Sequence, residues 1–180
     1  VPQIEDIHTM VEIISALGVD IEETAGHEVI VDARNVRTTD LDPGLCKRIR
    51  ASILLAGPLL ARCGQIKLPP PGGDVIGRRR VDTHVMALRT LGAEIDIDYG
   101  YTMRTNGLKG QEVFLDEASV TATENALMAA CTAQGRTVIK NAASEPHVQE
   151  LALFLNKLGA RISNIGTNTL TIDGVDRLHG

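Results

Sequence analysis

The stretch "LPPPGGDVIGRRRVDTH", residues 68–84, sets three prolines, two glycines, the acid Asp74 and three consecutive arginines ahead of a helix-like segment. So irregular a connection is costly inside a compact domain. It holds a phosphate, a catalytic acid or nothing but solvent. A Pro-Gly loop ending in Arg-Arg-Arg is most often a solvated turn. Long irregular loops, however, are disproportionately functional.

The elements around this loop are legible through internal repetition. "SALGVDIEE" (15–23), "RTLGAEIDI" (89–97) and "NKLGARISN" (156–164) share Leu-Gly-small-x-Ile. Each follows an amphipathic pattern: Ile7, Met10, Val11, Ile14, Leu17; then Val81, Val85, Leu88, Leu91; then Val148, Leu151, Phe154, Leu155, Leu158. These spacings predict helices with one apolar stripe. Gly18, Gly92 and Gly159 fall where a left-handed helix cap belongs. "VDIEETAGHEVIVDA" and "ARISNIGTNTLTIDG" read as hairpins after their helices.

A second repeated piece precedes two of these units. "RASILLAGPLLARCGQIKLP" (50–69) aligns with "TATENALMAACTAQGRTVIKN" (121–141), matching Gly64 to Gly135. Each predicts a helix apolar nearly all round, hence interior, followed by a short strand. Pro58 predicts a kink or break in the first. The unit is helix, strand, helix, hairpin, opened by one more strand. Gly64 to Gly92 spans 28 residues and Gly135 to Gly159 spans 24, so the middle unit carries four extra residues, in the stretch 68–84. The first unit lacks its opening helix and strand, so the chain reads as a piece of a longer protein.

Composition bounds the function. The chain has 180 residues, 43% hydrophobic, enough for a proper core. Only 2% are aromatic and the net charge is −5. Base stacking and polyanion binding are therefore disfavoured, and a small anionic ligand fits better than nucleic acid. The three cysteines, Cys46, Cys63 and Cys131, show no CxxC spacing and read as free thiols in a reducing compartment. The basic cluster after Cys46 could lower its pKa. Five scattered histidines suggest no metal site. No apolar run is long enough to span a membrane, and no signal-peptide pattern opens the chain, so a cytoplasmic location is expected.

Repeated βαβαββ-type units, buried helices and a Pro-Gly-Gly loop between strand and helix resemble the enolpyruvyl transferases, in particular their nucleotide-sugar branch. "RASILLAGPLLARCGQIKLPPPGGDVIGRRRVDTH", "NGLKG", "NAASEPHV" and "FLNKLGARI" carry the resemblance, which extends over essentially the whole chain. It implies an α/β (α+β) domain, an inside-out α/β barrel, spanning 1–180 as one domain. The repeats are a partial unit at about 1–40, then 41–117 and 118–180. It implies transfer of the enolpyruvyl group of phosphoenolpyruvate to the 3′-hydroxyl of UDP-N-acetylglucosamine with release of phosphate, the opening step of peptidoglycan synthesis. A second domain, across a cleft, would be missing. No cofactor is called for.

The resemblance also assigns residues. Asp74 stands where the family usually has a catalytic cysteine, and a carboxylic acid with a pKa raised by burial can donate the same proton. Asp cannot undergo the thiol alkylation by which fosfomycin inactivates the cysteine enzymes, so resistance is expected. Arg79, Arg80, Val81, Asp82 and Thr83 match the uridine-nucleotide contact, with Arg80 in place of the family's usual Pro. Arg50 matches another nucleotide-sugar contact. Ser119, Val120 and Thr121 match a diphosphate-binding helix start. Glu117 replaces the family's usual Lys there, and Arg78 or Arg80 is expected to supply the positive charge.

Simpler roles compete for some residues. Asp82 could be the N-cap of its helix. His84 reads as a packing or surface histidine, and Cys63 and Cys131 as small core residues. Ser144 reads as a cap with Pro146 in the first turn, and Glu145 could face the cleft. Other functions stay open: an enolpyruvyl transferase acting on shikimate 3-phosphate or a nucleotide, or a non-catalytic nucleotide-sugar-binding half-protein.

Overall fold

The computed structural model describes residues 1–24, 27–73 and 80–180. They fall into two compact units: Val1–Ile53, Ile66–Arg78 and Asp96–Thr102 in one, Leu54–Gln65, Arg79–Ile95 and Met103–Gly180 in the other.

The first unit opens with helix α1 (Glu5–Ala16) and the antiparallel hairpin of β1 (Asp20–Thr24) and β2 (Glu28–Asp32). Gly18 closes α1 at φ +96°, a left-handed conformation that glycine adopts without a Cβ clash. The line α1 buries is Thr9, Ile13 and Leu17, while Ile7, Met10, Val11 and Ile14 are half-buried. The buried line is thus turned by about one residue, ~100°, from the centre of the expected stripe. Helix α1 packs on α2 (Pro43–Arg48), and Arg48 clamps them by pairing with Glu5 and, at 2.6 Å, with Glu12. Helix α2 starts where its sequence says it should: Asp42 accepts from Leu45 N–H at 2.8 Å, with Pro43 in the first turn.

Pro58 breaks the apolar segment as expected. A 3₁₀ helix covers Arg50–Leu55, and α3 (Ala56–Cys63) begins two residues before the proline. Its missing N–H then falls in the first turn, where no intrahelical partner exists. The strands β3 (Gln65–Leu68), β4 (Glu94–Ile97) and β5 (Tyr101–Arg104) form a sheet in the order β3-β5-β4.

The second unit contains α3, α4 (Asp82–Thr90), β6 (Glu112–Phe114), α5 (Val120–Ala130), β7 (Arg136–Lys140), α6 (Pro146–Lys157), β8 (Arg161–Ser163) and β9 (Thr169–Asp173). From β6 to β9 the order is the anticipated βαβαββ unit. Its sheet runs β6-β7-β9-β8, with β6 and β7 parallel as a helical crossover requires.

Helix α5 is the interior helix read from the sequence. Ala122, Thr123, Asn125, Ala126, Leu127, Ala129 and Ala130 are all buried, and α3, α4 and α6 pack around it. Its alanines permit short interaxial distances. The closest approach is at Gly57 of α3, where a Cβ would stand 2.4 Å from the Asn125 carbonyl oxygen.

Gly57→Ala should therefore cost roughly 1–3 kcal/mol or more, because backbone rather than a flexible side chain must yield. Urea unfolding checks this; unchanged stability would contradict the close α3–α5 approach.

Candidate functional site

Residues 69–81 connect β3 to α4, whereas 141–145 suffice between β7 and α6. The sequence insertion explains part of this difference, and a shorter α4 explains most of the remainder. Asp74 and Arg79, and Arg78 between them, lie outside the described residues.

The start of the long connection is built by backbone groups. Gly72 N–H donates to Cys46 O at 2.9 Å and Gly73 N–H to Lys47 O at 3.3 Å. These are C-terminal carbonyls of α2, which lack helical partners of their own. A Cβ on Gly72 would stand 1.7 Å from the Lys47 oxygen. Gly73 has φ +86°, and a Cβ there would meet Arg50 N at 3.0 Å. The Gly-Gly pair is therefore required by close backbone contact, and it sets the residue before Asp74 against Arg50. Arg50 itself is half-buried at the first position of the 3₁₀ helix.

Cys46 is fully buried beneath this junction. Burial pushes its thiol up to about 11, outweighing a hydrogen bond with Ser52; burial likewise pushes Cys131 up to about 12. The expected lowering of the Cys46 pKa by its basic neighbours is corrected: the side chain points into the apolar interior. Cys63, read as a core residue, is half-buried.

In the second unit the starts of α4 and α5 come together. Val81, not Asp82, is the N-cap of α4, and no side chain caps it. Asp82 is the first helical residue, where a carboxylate is favoured by the helix dipole. It is turned instead toward Arg80, whose Nε donates to Asp82 Oδ2 at 2.8 Å, with Asp116 Oδ2 3.6 Å from Nη2. Thr83 is buried and donates to Asp116 Oδ1 at 2.6 Å. Ser119 is the N-cap of α5 and accepts from Ala122 N–H at 3.4 Å, with Val120 and Thr121 half-buried in the first turn. Among the described residues, Arg80, Asp82, Asp116 and Glu117 set one base against three acids here. The free N–H groups of the α5 start suit an anion whatever the balance of side-chain charge around them.

His84 is only 2% exposed, and its two ring nitrogens face Thr121 Oγ1 at 3.1 Å and Asn125 Nδ2 at 2.9 Å. Asn125 Oδ1 accepts from Gly57 N–H at 2.7 Å. Sequence reading set His84 aside and passed over Asn125. The available signal was a polar residue inside a helix apolar all round, which must be satisfied by a neighbour. Ser144 does not cap α6: Glu145, exposed, is the N-cap residue, and Pro146 begins the helix as expected. Among the described residues no three His, Cys, Asp or Glu side chains converge as metal ligands, and no helix is long and apolar enough to cross a membrane.

Solved structures share this fold. The enolpyruvyl transferase NikO from Streptomyces tendae superposes with a TM-score of 0.83 at 22% identity, covering 99% of this chain and 43% of that one. EPSP synthase from Acinetobacter baumannii gives 0.73, also at 22% identity, covering 99% and 41%. The fold is thus that of the enolpyruvyl transferases. The profile of the EPSP synthase (3-phosphoshikimate 1-carboxyvinyltransferase) family matches residues 1–180, and the chain belongs to this family. Proteins named UDP-N-acetylglucosamine 1-carboxyvinyltransferase are much closer in sequence. The one from Bradyrhizobium diazoefficiens is 60% identical over 97% of this chain and 40% of its own length. Those from Treponema denticola and Treponema pallidum are 54% and 55% identical over the whole chain and 42% of theirs. The chain spans about two fifths of the length of these curated relatives.

Two outcomes follow from this geometry. Gly72→Ala should destabilise the protein by about 1–3 kcal/mol, read by urea unfolding, and loosen residues 69–73 toward limited proteolysis. With its thiol at about 11, only roughly one Cys46 in a thousand is thiolate at pH 8. Iodoacetamide should therefore label half-buried Cys63 well before Cys46 or Cys131. Mass spectrometry of the native protein reads the order, and equal rates would contradict the burial.

Proposed function

We propose that this chain is the loop-bearing domain of a UDP-N-acetylglucosamine 1-carboxyvinyltransferase, and that residues 1–180 act as one domain, an inside-out α/β barrel, within a two-domain protein. The observation that carries the reading is 54–60% identity to proteins of that name along nearly the entire chain. The whole protein would transfer the enolpyruvyl group of phosphoenolpyruvate to the 3′-hydroxyl of UDP-N-acetylglucosamine, for peptidoglycan synthesis in the cytoplasm.

The chemistry assigns each group a task. Asp74 protonates C3 of phosphoenolpyruvate while the sugar oxygen attacks C2 and loses its proton. Loss of a proton from C3 and of phosphate from C2 then restores the double bond in the product. A positioned acid contributes about 10²–10⁴-fold to such a step. Arg79, Arg80, Val81, Asp82 and Thr83 seat the uridine nucleotide. Arg50 and the helix start Ser119, Val120, Thr121 meet the nucleotide sugar and its diphosphate. The pairing of Arg80 with Asp82 and Asp116 supports a role in shaping that seat rather than in replacing the charge absent at Glu117. The partner domain completes the phosphate site and excludes water, so the chain by itself is expected to turn over little or nothing.

In the full-length parent protein, phosphate release from phosphoenolpyruvate and UDP-N-acetylglucosamine should fall about 10²-fold or more in Asp74→Ala. Equal rates would remove Asp74 from the mechanism. Asp74→Cys should acquire fosfomycin sensitivity that the wild type lacks, whereas covalent labelling of wild-type residue 74 would contradict the assignment. Tighter binding of shikimate 3-phosphate than of UDP-N-acetylglucosamine would overturn the choice of acceptor.

A further inference from the structure

We propose that Asn125 is a positioning residue: it fixes the proton of His84 on Nε2 and, through that imidazole, sets the start of α5 against the start of α4. The assignment begins from a donor of known identity. The backbone N–H of Gly57 can only donate, so the Asn125 atom 2.7 Å away is the amide oxygen Oδ1. The amide nitrogen then faces His84 Nδ1 at 2.9 Å and donates to it. Nδ1 must accept, which leaves the ring proton on Nε2, donating to Thr121 Oγ1 at 3.1 Å. An imidazolium would set an N–H against the Asn125 amino group. The bonds therefore run in one direction, from Gly57 through Asn125 and His84 to Thr121.

The relay also has a mechanical consequence. Asn125 and Thr121 are four residues apart, on one face of α5. His84, in the first turn of α4, spans that helical turn and bonds at both its ends. A rigid ring can do so at only one axial offset between α4 and α5. That offset holds Thr83, the residue before His84, 2.6 Å from Asp116, three residues ahead of the Ser119 cap of α5. The three bonding side chains are well shielded: Asn125 is 0% and His84 2% exposed, and Thr121 is half-buried. Water is a poor substitute partner there.

This positioning role rests on the proposed function, because the residues it aligns are those read as nucleotide-sugar contacts. Its effect belongs on acceptor binding rather than on proton transfer. The test uses the full-length parent protein labelled with ¹⁵N-histidine, as wild type, Asn125→Asp and His84→Asn. Wild-type His84 should show a neutral ring protonated at Nε2. In Asn125→Asp the carboxylate can accept from both Gly57 N–H and the ring, so the proton should appear on Nδ1. His84→Asn keeps an acceptor for the Asn125 amide but cannot reach Thr121, and should shift the Thr121 amide resonance. Both variants should raise KM for UDP-N-acetylglucosamine roughly tenfold, the worth of one buried hydrogen bond, with kcat and KM for phosphoenolpyruvate within about twofold.

A wild-type ring protonated at Nδ1, or a tautomer unchanged in Asn125→Asp, overturns the assignment. So does an unaltered KM for the sugar nucleotide in both variants. Where the buried variants do not fold, Thr121→Val removes the acceptor at the far end of the relay. An unmoved His84 Nε2 resonance in that variant overturns the proposal. A wild type that does not use UDP-N-acetylglucosamine sinks the functional reading instead. The relay is then judged by the tautomer and the Thr121 amide shift, which must move together in its favour and otherwise count against it.

Discussion

The backbone N–H of Gly57, donating to Asn125 Oδ1 at 2.7 Å, is the contact on which the second unit depends. It requires α3 to approach α5 so closely that only glycine fits, since a Cβ would stand 2.4 Å from the Asn125 backbone carbonyl oxygen and 2.9 Å from Oδ1 itself. It requires α5 to be lined with alanine, so that α3, α4 and α6 all reach it. It also gives a buried asparagine the partner without which its burial would cost a few kcal/mol. Close packing and polar satisfaction are here one constraint. The small residues that look like weak core formers bring the backbones near enough for polar groups to meet.

The repeat shows how one unit was altered without disturbing its frame. Gly64 and Gly135 each precede a strand whose third residue after the glycine takes a parallel partner: Lys67 opposite Asp40, and Val138 opposite Glu112. Lys67 N–H bonds Thr39 O at 2.9 Å and Val138 N–H bonds Gln111 O at 3.0 Å, the same bond in both copies. The register is preserved, while the connection after the strand differs, 69–81 against 141–145. Length was added beyond the paired strand, where no ladder bond has to be given up.

Much of this was legible in the sequence because it follows from local rules. The glycine caps, the hairpins, the interior helix, the break near Pro58 and the αβ repeat each need only periodicity or turn chemistry. The misreadings share another cause. Residue type offers Asp82 an N-cap role beside its nucleotide contact, but Arg80 two positions earlier captures its carboxylate and Val81 takes the cap position. Cys46 was read by its basic neighbours in sequence, but it faces the core, and desolvation outweighs charge. The packing role read for His84 agrees with its burial, but its partner Asn125 lies 41 positions away and nothing local signals that the two meet. Pairings of this kind are set by how helices stack, which sequence spacing does not encode.

The acid-rich start of α5 bears on how a diphosphate could be held there. Glu117 and Asp116 precede the helix, and Asp82 faces it from α4, with Arg80 bonded to Asp82 and 3.6 Å from Asp116. In water-exposed surroundings such pairs are worth about 0–1 kcal/mol, so Arg80 can exchange a carboxylate for a phosphate oxygen at little cost. The carboxylates it leaves would then repel the same phosphate. Thr83, donating to Asp116 at 2.6 Å, holds one of them in place and spreads its charge into a hydrogen bond. Recognition by helix N–H groups avoids this conflict, because those dipoles need no counter-charge and point along α5 whatever the acids do. If a diphosphate is held as proposed, its binding would then depend on the orientation of the α5 helix start, where His84 bonds both Thr121 and Asn125.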